Sequence, residues 1–341
     1  MAGIQDFKSE DVSGLVDHGR LAAWMDTENL GAGRALRIDR VSGGMSNETL
    51  GLQRGQERWA LRRPAKLALV GADQGMEREF RVLSALEGTP VPHPKPVALC
   101  RDPSVAGCTF YVMEWIDGFP AGLAMPQRFA EDRGVRREIA MSAARTLGAL
   151  ARLDWKACGL GDFGKPADFH ERQVGRWTKQ LEGYPAWPER DLSMLTTVGR
   201  WLDAARPASA DWSPGIMHGD YHLANLMVAP EPPGRVAAIL DWENATIGDP
   251  LLDLAGFLRL IESPEQPEWA DREELIGCWE RSSGRVAPDL RYYTVLSAFK
   301  LSVMLEGIFR RSAVDPTRTR AEAMGEMALQ IMNEATHAID A

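Results

Sequence analysis

Apolar positions alternate with polar ones in short runs over the first third of the chain, and recur at helical spacing over the rest. Leu36 to Val41 reads as a strand, with Ser42 to Asn47 as a turn. Glu48 to Gln53 and Arg58 to Arg62 read as two more strands, joined through Arg54-Gly55-Gln56. Pro64 closes the third strand, because proline brings no N–H to a ladder. A helix is predicted over Met76 to Leu86, where Phe80, Leu83 and Leu86 share a face and Gly88 follows as a stop. The proline run from Pro90 to Pro96 predicts an extended connector. Phe110 to Trp115 predicts a buried strand, broken by Asp117-Gly118-Phe119-Pro120.

Beyond this point the period becomes helical. Ile139, Ala143, Leu147 and Leu150 form one stripe. Tyr292, Leu296, Phe299 and Val303 form a second, and Met324, Met327 and Ile331 a third. The chain is therefore expected to be α+β: a small β-rich N-lobe with one main helix (1–115) and a larger, mostly helical C-lobe (116–341). One Gly/Pro hinge near 115–122 would join them and leave a ligand cleft.

Composition narrows the function classes. The 341 residues are 45% hydrophobic and 26% charged, an ordinary globular balance. A net charge of −9 argues against nucleic acid as the main partner, since duplex binding rests on a basic footprint. No apolar run approaches a membrane span, Met1 to Asp11 lacks the layout of a signal peptide, and Cys100, Cys108, Cys158 and Cys278 form no CxxC pair. The expectation is a cytoplasmic protein with neither membrane nor nucleic-acid partner.

The chemistry concentrates after Met217. His218-Gly219-Asp220 is followed by Asn225, and Asp241-Trp242-Glu243 lies beyond a Pro/Gly turn. Leu226 to Val228 and Val236 to Leu240 read as a hairpin that would bring Asn225 and Asp241 together at one end. An Asp carboxylate and an Asn carboxamide meeting there suit Mg²⁺, a hard cation that takes oxygen ligands. Asp220, free of metal, could accept the proton of an attacking hydroxyl. Asp-x-x-x-x-Asn followed by a later Asp is also the loop pattern of protein kinases.

The order His218-Gly219-Asp220, Asn225, Asp241-Trp242-Glu243, Gly248-Asp249-Pro250 and Asp253-Leu254-Ala255 resembles the aminoglycoside phosphotransferase family of kinase-like enzymes. Trp59 to Pro64, Phe110 to Trp115, Gly159 to Gly164 and Arg172 to Trp177 resemble its branch associated with acyl-CoA dehydrogenases. The resemblance implies a protein-kinase-like bilobal fold and transfer of the γ-phosphate of ATP to a hydroxyl of a small molecule. It implies Asp220 as base, Asn225 and Asp241 as Mg²⁺ ligands, and His218 and Asp253 as braces of the catalytic loop. His222 falls where protein kinases place a basic residue near the transferred phosphate. In the small lobe, Ser42, Gly43, Gly44, Ser46 and Asn47 are candidates to cradle phosphates. Arg62 stands where the pattern wants lysine, and Glu79 is its expected partner by helix phase. Main-chain groups of Glu114 and Ile116 are expected to hold the adenine.

The acceptor is less determined. Arg172 and Arg176 share a helix face with Trp177 beside it, a candidate dock for an anionic acceptor such as a hydroxyacyl coenzyme A; an acidic C-lobe would instead suit an aminoglycoside. Two rivals stand. His218, Asp220, His222 and Asp241 could form a Zn²⁺ or Mn²⁺ hydrolase site. Alternatively, Arg62 disables catalysis and the fold only binds. A protein kinase is disfavoured because no activation segment follows Asp241.

Overall fold

The computed structural model describes residues 12, 14–43, 47–65, 71–123, 125–184, 190–208, 211–262, 269–313 and 321–340. Gly44 and Ser46 lie outside the described residues, as do the side chains of Ser42 and Gly43. Helix α1 (His18–Thr27) precedes strands β1 (Leu36–Gly43), β2 (Asn47–Arg54) and β3 (Glu57–Pro64). Helix α2 (Ala72–Leu86), strand β4 (Pro96–Cys100), the one-turn α3 (Pro103–Ala106), β5 (Phe110–Glu114) and β6 (Phe119–Pro120) follow. Helices α4 (Gln127–Ala130), α5 (Arg133–Arg152), α6 (Gln173–Glu182) and α7 (Ser193–Ala204) lead to the motif region. That region holds β7 (Gly215–Met217), β8 (Leu226–Val228), β9 (Val236–Ile239) and β10 (Thr246–Gly248). Helices α8 (Leu251–Ile261), α9 (Arg272–Ser283), α10 (Arg291–Ala313) and α11 (Ala321–Asp340) complete the chain.

The chain forms two compact units, one of residues 1–143 with 223–245 and one of 144–222 with 246–341. The first extends past the division expected near residue 116. Its reason is a pairing distant in sequence: Phe119 of β6 lies opposite Val228 of β8.

In the first unit an antiparallel sheet runs in the order β1-β2-β3-β5-β4. The three predicted strands form, each two or three residues longer than expected. Neighbouring side chains leave a strand on opposite faces, so Leu61 and Arg62 of β3 part company. Leu61 enters a core with Leu50, Leu52, Phe110 and Val112, covered by Leu21 and Met25 of α1. Full burial of a side chain of that size stabilises by about 1.5–3 kcal/mol, which fixes α1 on the sheet although the sequence reading passed it over. Arg54, placed in a turn from the sequence, is instead 1% exposed and holds the C-terminal end of α1. It donates to the Ala22 carbonyl at 2.8 Å, the Leu30 carbonyl at 3.1 Å and the Asp26 carboxylate at 2.5 Å. The proline connector yields one further strand, β4, at the sheet edge where proline is tolerated.

A small sheet of order β6-β8-β9 belongs to the same unit. Two glycines permit it. A Cβ on Gly118 would lie 2.3 Å from the Val228 carbonyl oxygen, and one on Gly122 would lie 2.5 Å from the Ala224 nitrogen.

The second unit is helical around α10, whose Tyr292, Leu296, Phe299 and Val303 are all buried as the periodicity predicts. The buried face of α11 is Ala328, Ile331, Met332 and Ala335, while Met327 is 40% exposed. The predicted stripe is therefore rotated by one residue there, because methionine spacing alone does not mark the centre of the apolar face. The strands β7 and β10 pair antiparallel, with Ile216 opposite Ile247. Asp249 closes the start of α8: it accepts from the Leu251 N–H at 3.1 Å, the Tyr293 hydroxyl at 2.7 Å and His170 at 3.1 Å. No helix among the described residues is long and apolar enough to cross a membrane.

Candidate active site

In the first unit the face of β3 opposite the α1 core presents Arg62. Its Nε donates to Glu79 of α2 at 2.8 Å, and its terminal nitrogen donates to Asp241. Glu79 reaches this point because it lies on the buried face of α2 with Met76, Val82, Leu83 and Leu86. Tyr111, opposite Arg62 on β5, donates its hydroxyl to Glu79 at 2.9 Å. Burial alone would lower the Arg62 pKa, but Glu79 foremost, with Tyr111, Asp241 and Glu243, holds it above its usual value. The same burial pushes the Glu79 carboxyl up, against the pull of Arg62. The cluster is thus a buried cation shared by two anions, and losing either anion would leave charge uncompensated.

The predicted hairpin forms, with Leu226 opposite Ile239. The Leu240 N–H donates to the Asn225 carbonyl at 2.8 Å, so the segments carrying Asn225 and Asp241 leave the hairpin side by side. Asp241 has a left-handed backbone (φ 63°), a conformation that costs energy for a non-glycine residue and concentrates at functional sites. One oxygen from each of Glu79, Asp241 and Glu243 lies within 4.8 Å of the others. Asn47 donates to Glu243 at 2.7 Å and so joins this group. An all-oxygen donor set of this kind fits Mg²⁺. Because Glu79 is fully buried against Arg62 and Tyr111, Asp241 and Glu243 are the members of this group able to face a cation.

In the second unit the segment 218–222 is held through its backbone. The Asp253 carboxylate accepts from the N–H of His218 at 2.6 Å and of Gly219 at 3.0 Å. The Asp220 N–H donates to His218 Nδ1 at 3.2 Å, and the His218 side chain is fully buried. His222 Nε2 lies 3.5 Å from the Asp220 carboxylate. Lys300 of α10 donates to the Gly219 carbonyl. The Asp220 side chain is 38% exposed, so it is braced yet open to a ligand. Burial would raise its pKa, but the His222 hydrogen bond and the charges of His222, Lys300 and His218 hold it below the ordinary carboxylate value.

The remaining predicted residues divide by what they touch. The Glu114 N–H donates to the Lys95 carbonyl at 2.8 Å, so this residue can offer a base only acceptor groups. Ile116 follows it, half-buried. The Arg172 guanidinium donates to the carbonyls of Lys165 and Ala167, which ties it to its own loop. Arg176 is exposed and lies 4.9 Å from the ring centre of the buried Trp177. Lys300 approaches the same ring at 5.7 Å. Among the described residues, the side chains close enough to share a cation are Glu79, Asp241 and Glu243, and neither His218 nor His222 is one of them. Lys300, Tyr111 and Glu243 join the predicted residues at these positions. Only Glu243 carried a local signal, its place two residues after Asp241.

The profile of the Phosphotransferase enzyme family (APH) matches residues 37–286. Acyl-CoA dehydrogenase family member 11 of Homo sapiens is 33% identical over 81% of this chain; the match covers 36% of that protein, so the chain spans about a third of the length of this relative. The crystal structure of a Ralstonia eutropha JMP134 protein classed with the aminoglycoside phosphotransferases is 30% identical, covers 94% of this chain and 99% of its own, and superposes with a TM-score of 0.76. The GDP and kanamycin complex of APH(2″)-IIIa is 15% identical with a TM-score of 0.63, covering 92% and 97% of the two chains, a likeness of fold alone.

Proposed function

The chain belongs to the phosphotransferase enzyme family and has its kinase-like fold, and we propose that it is a small-molecule kinase transferring the γ-phosphate of ATP to a hydroxyl. The observation that carries this reading is Arg62 bridging Glu79 and Asp241. A third-strand cation paired to a helix glutamate is the device with which kinases grip nucleotide phosphates. Here a guanidinium supplies it, with a second nitrogen left for Asp241.

Residues 1–115 would then contribute the nucleotide-binding groups, and the main chain at 114–116 would face the base. Asp241, Asn225 and Glu243 would hold Mg²⁺, which when bound neutralises phosphate charge. Asp220, braced by Asp253 and His218, orients the acceptor hydroxyl and takes its proton as the oxygen attacks the γ-phosphorus, while the bond from that phosphorus to the bridging oxygen breaks and ADP leaves with it. His222, against Asp220, is the candidate donor to the transferred group. Little covalent chemistry falls to the protein, so positioning and electrostatics supply most of the rate. For the acceptor, Arg176 over Trp177 favours an anionic small molecule, a hydroxyacyl coenzyme A being one candidate, over an aminoglycoside-like polycation.

The reading is tested by ATP consumption across hydroxyacyl coenzyme A thioesters, aminoglycosides and simple sugar or amino alcohols, with Asp220→Asn beside the parent. The variant is expected to lose turnover and to bind nucleotide within about twofold of the parent. Turnover surviving in Asp220→Asn would refute the assignment.

A further inference from the structure

Three helices of the second unit converge on the peptide that precedes Asp220, and they bring charge of both signs. Asp253 of α8 binds the N–H side of the segment, at His218 and Gly219. From α10, Lys300 binds the opposite side, the Gly219 carbonyl. α6 adds Trp177, which covers the Lys300 ammonium, and Arg176, which lies on the same ring. An ammonium half-buried under an indole keeps its charge only if anions compensate it. The anions facing it are Asp253 and Asp220, while Arg176 opposes.

We propose that Lys300 is a positioning residue: its ammonium fixes the plane of the Gly219–Asp220 peptide and supplies the positive field that keeps the Asp220 carboxylate ionised for proton acceptance. This deepens, and rests on, the reading of Asp220 as the base. In protein kinases a basic residue of the loop itself stands near the reacting groups. Here the loop offers His222, 3.5 Å from the Asp220 carboxylate. Lys300 supplies a further cation from α10, its ammonium pKa lowered by burial and held up against that by Asp253 and Asp220.

The groups facing Asp220 are His218 and His222 on its own segment, Lys300 on α10 and Asp253 on α8. The first three favour its ionised form, and Asp253 opposes it. Removing the Lys300 charge must therefore raise the pH at which Asp220 takes up a proton.

The full chain, labelled with ¹³C at aspartate carboxyl carbons, gives a direct readout, with the Asp220 signal identified by its loss in Asp220→Asn. The Asp220 midpoint is expected to rise by about half to one pH unit in Lys300→Gln and Lys300→Met, and to stay in place in Lys300→Arg. Both neutral variants are used so that a folding failure of one, seen by thermal melting, leaves the other. Hydrolysis of Mg·ATP with water as acceptor should fall about tenfold or more in the neutral variants, with KM for ATP within about twofold and partial rescue by arginine. An unmoved midpoint in a folded neutral variant overturns the proposal. Turnover retained by Asp220→Asn overturns the base reading instead, so the two failures are distinguishable.

Discussion

At the residue scale, Arg62 is the most informative position. A guanidinium can place Nε on one carboxylate and a terminal nitrogen on another, whereas an ammonium is a single point charge on a flexible stem. Arg62→Lys should therefore keep Glu79 or Asp241 but not both. We expect KM for ATP to rise about tenfold, equivalent to about 1.4 kcal/mol, in steady-state kinetics; an unchanged KM would show that the bridge is idle. Asp241→Asn should remove the Mg²⁺-dependent part of nucleotide affinity, measured calorimetrically with and without the ion. Arg176→Ala should raise acceptor KM and leave that for ATP unchanged, while equal effects on both would argue against an acceptor role. The Arg62–Glu79 pair was legible in the sequence because helix phase placed Glu79 with Leu83 and Leu86. The Asp241 end of the bridge, 179 residues from Arg62, and Lys300 beside Gly219 were not. No local pattern encodes which distant helix points a cation at a loop.

At the scale of elements, short strands are held by backbone approach rather than by large apolar faces. β6 is two residues long, and it meets β8 only because Gly118 and Gly122 carry no side chain. Gly122→Ala forces a methyl into the turn that leads to Asn225. It should destabilise the protein by about 1–3 kcal/mol in urea unfolding and weaken Mg²⁺-dependent nucleotide binding. Arg54→Met tests the other end of the unit: it strips the carbonyl and carboxylate partners of Ala22, Asp26, Leu30 and Gly31 and should cost about 2–4 kcal/mol. Hydropathy alternation made β1, β2, β3 and β5 visible, as it did the central face of α10. It could not show α1, whose apolar face is only two residues deep, nor that Arg54 turns inward. There, hydrogen bonds to helix carbonyls override the polarity of the side chain.

For the whole molecule, the order of residues along the chain and the order of its compact units differ. The chain enters the first unit at its start, leaves it within α5, returns between His222 and Leu223, and departs again between Ala245 and Thr246. The pattern of apolar positions changes from strand to helical period near residue 116. It cannot show that 223–245 completes the earlier unit, since strand pairing between β6 and β8 leaves no mark in composition. A fragment of residues 1–143 would lack both β8 and Asp241. It is expected to bind no nucleotide and to give poorly dispersed amide resonances, whereas adding 223–245 through a short linker should restore dispersion.

The replacement of an amine by a guanidinium at Arg62 also alters how the protein meets reactive chemistry. Nucleotide analogues bearing acylating groups mark kinases by transferring the acyl group to a lysine amine beside the phosphates. A guanidinium, protonated throughout the accessible pH range, is not a nucleophile for that transfer. Profiling of cell extracts by amine acylation would pass this chain by at Arg62, however active it is. An inhibitor built to capture that lysine in other kinases would spare it for the same reason.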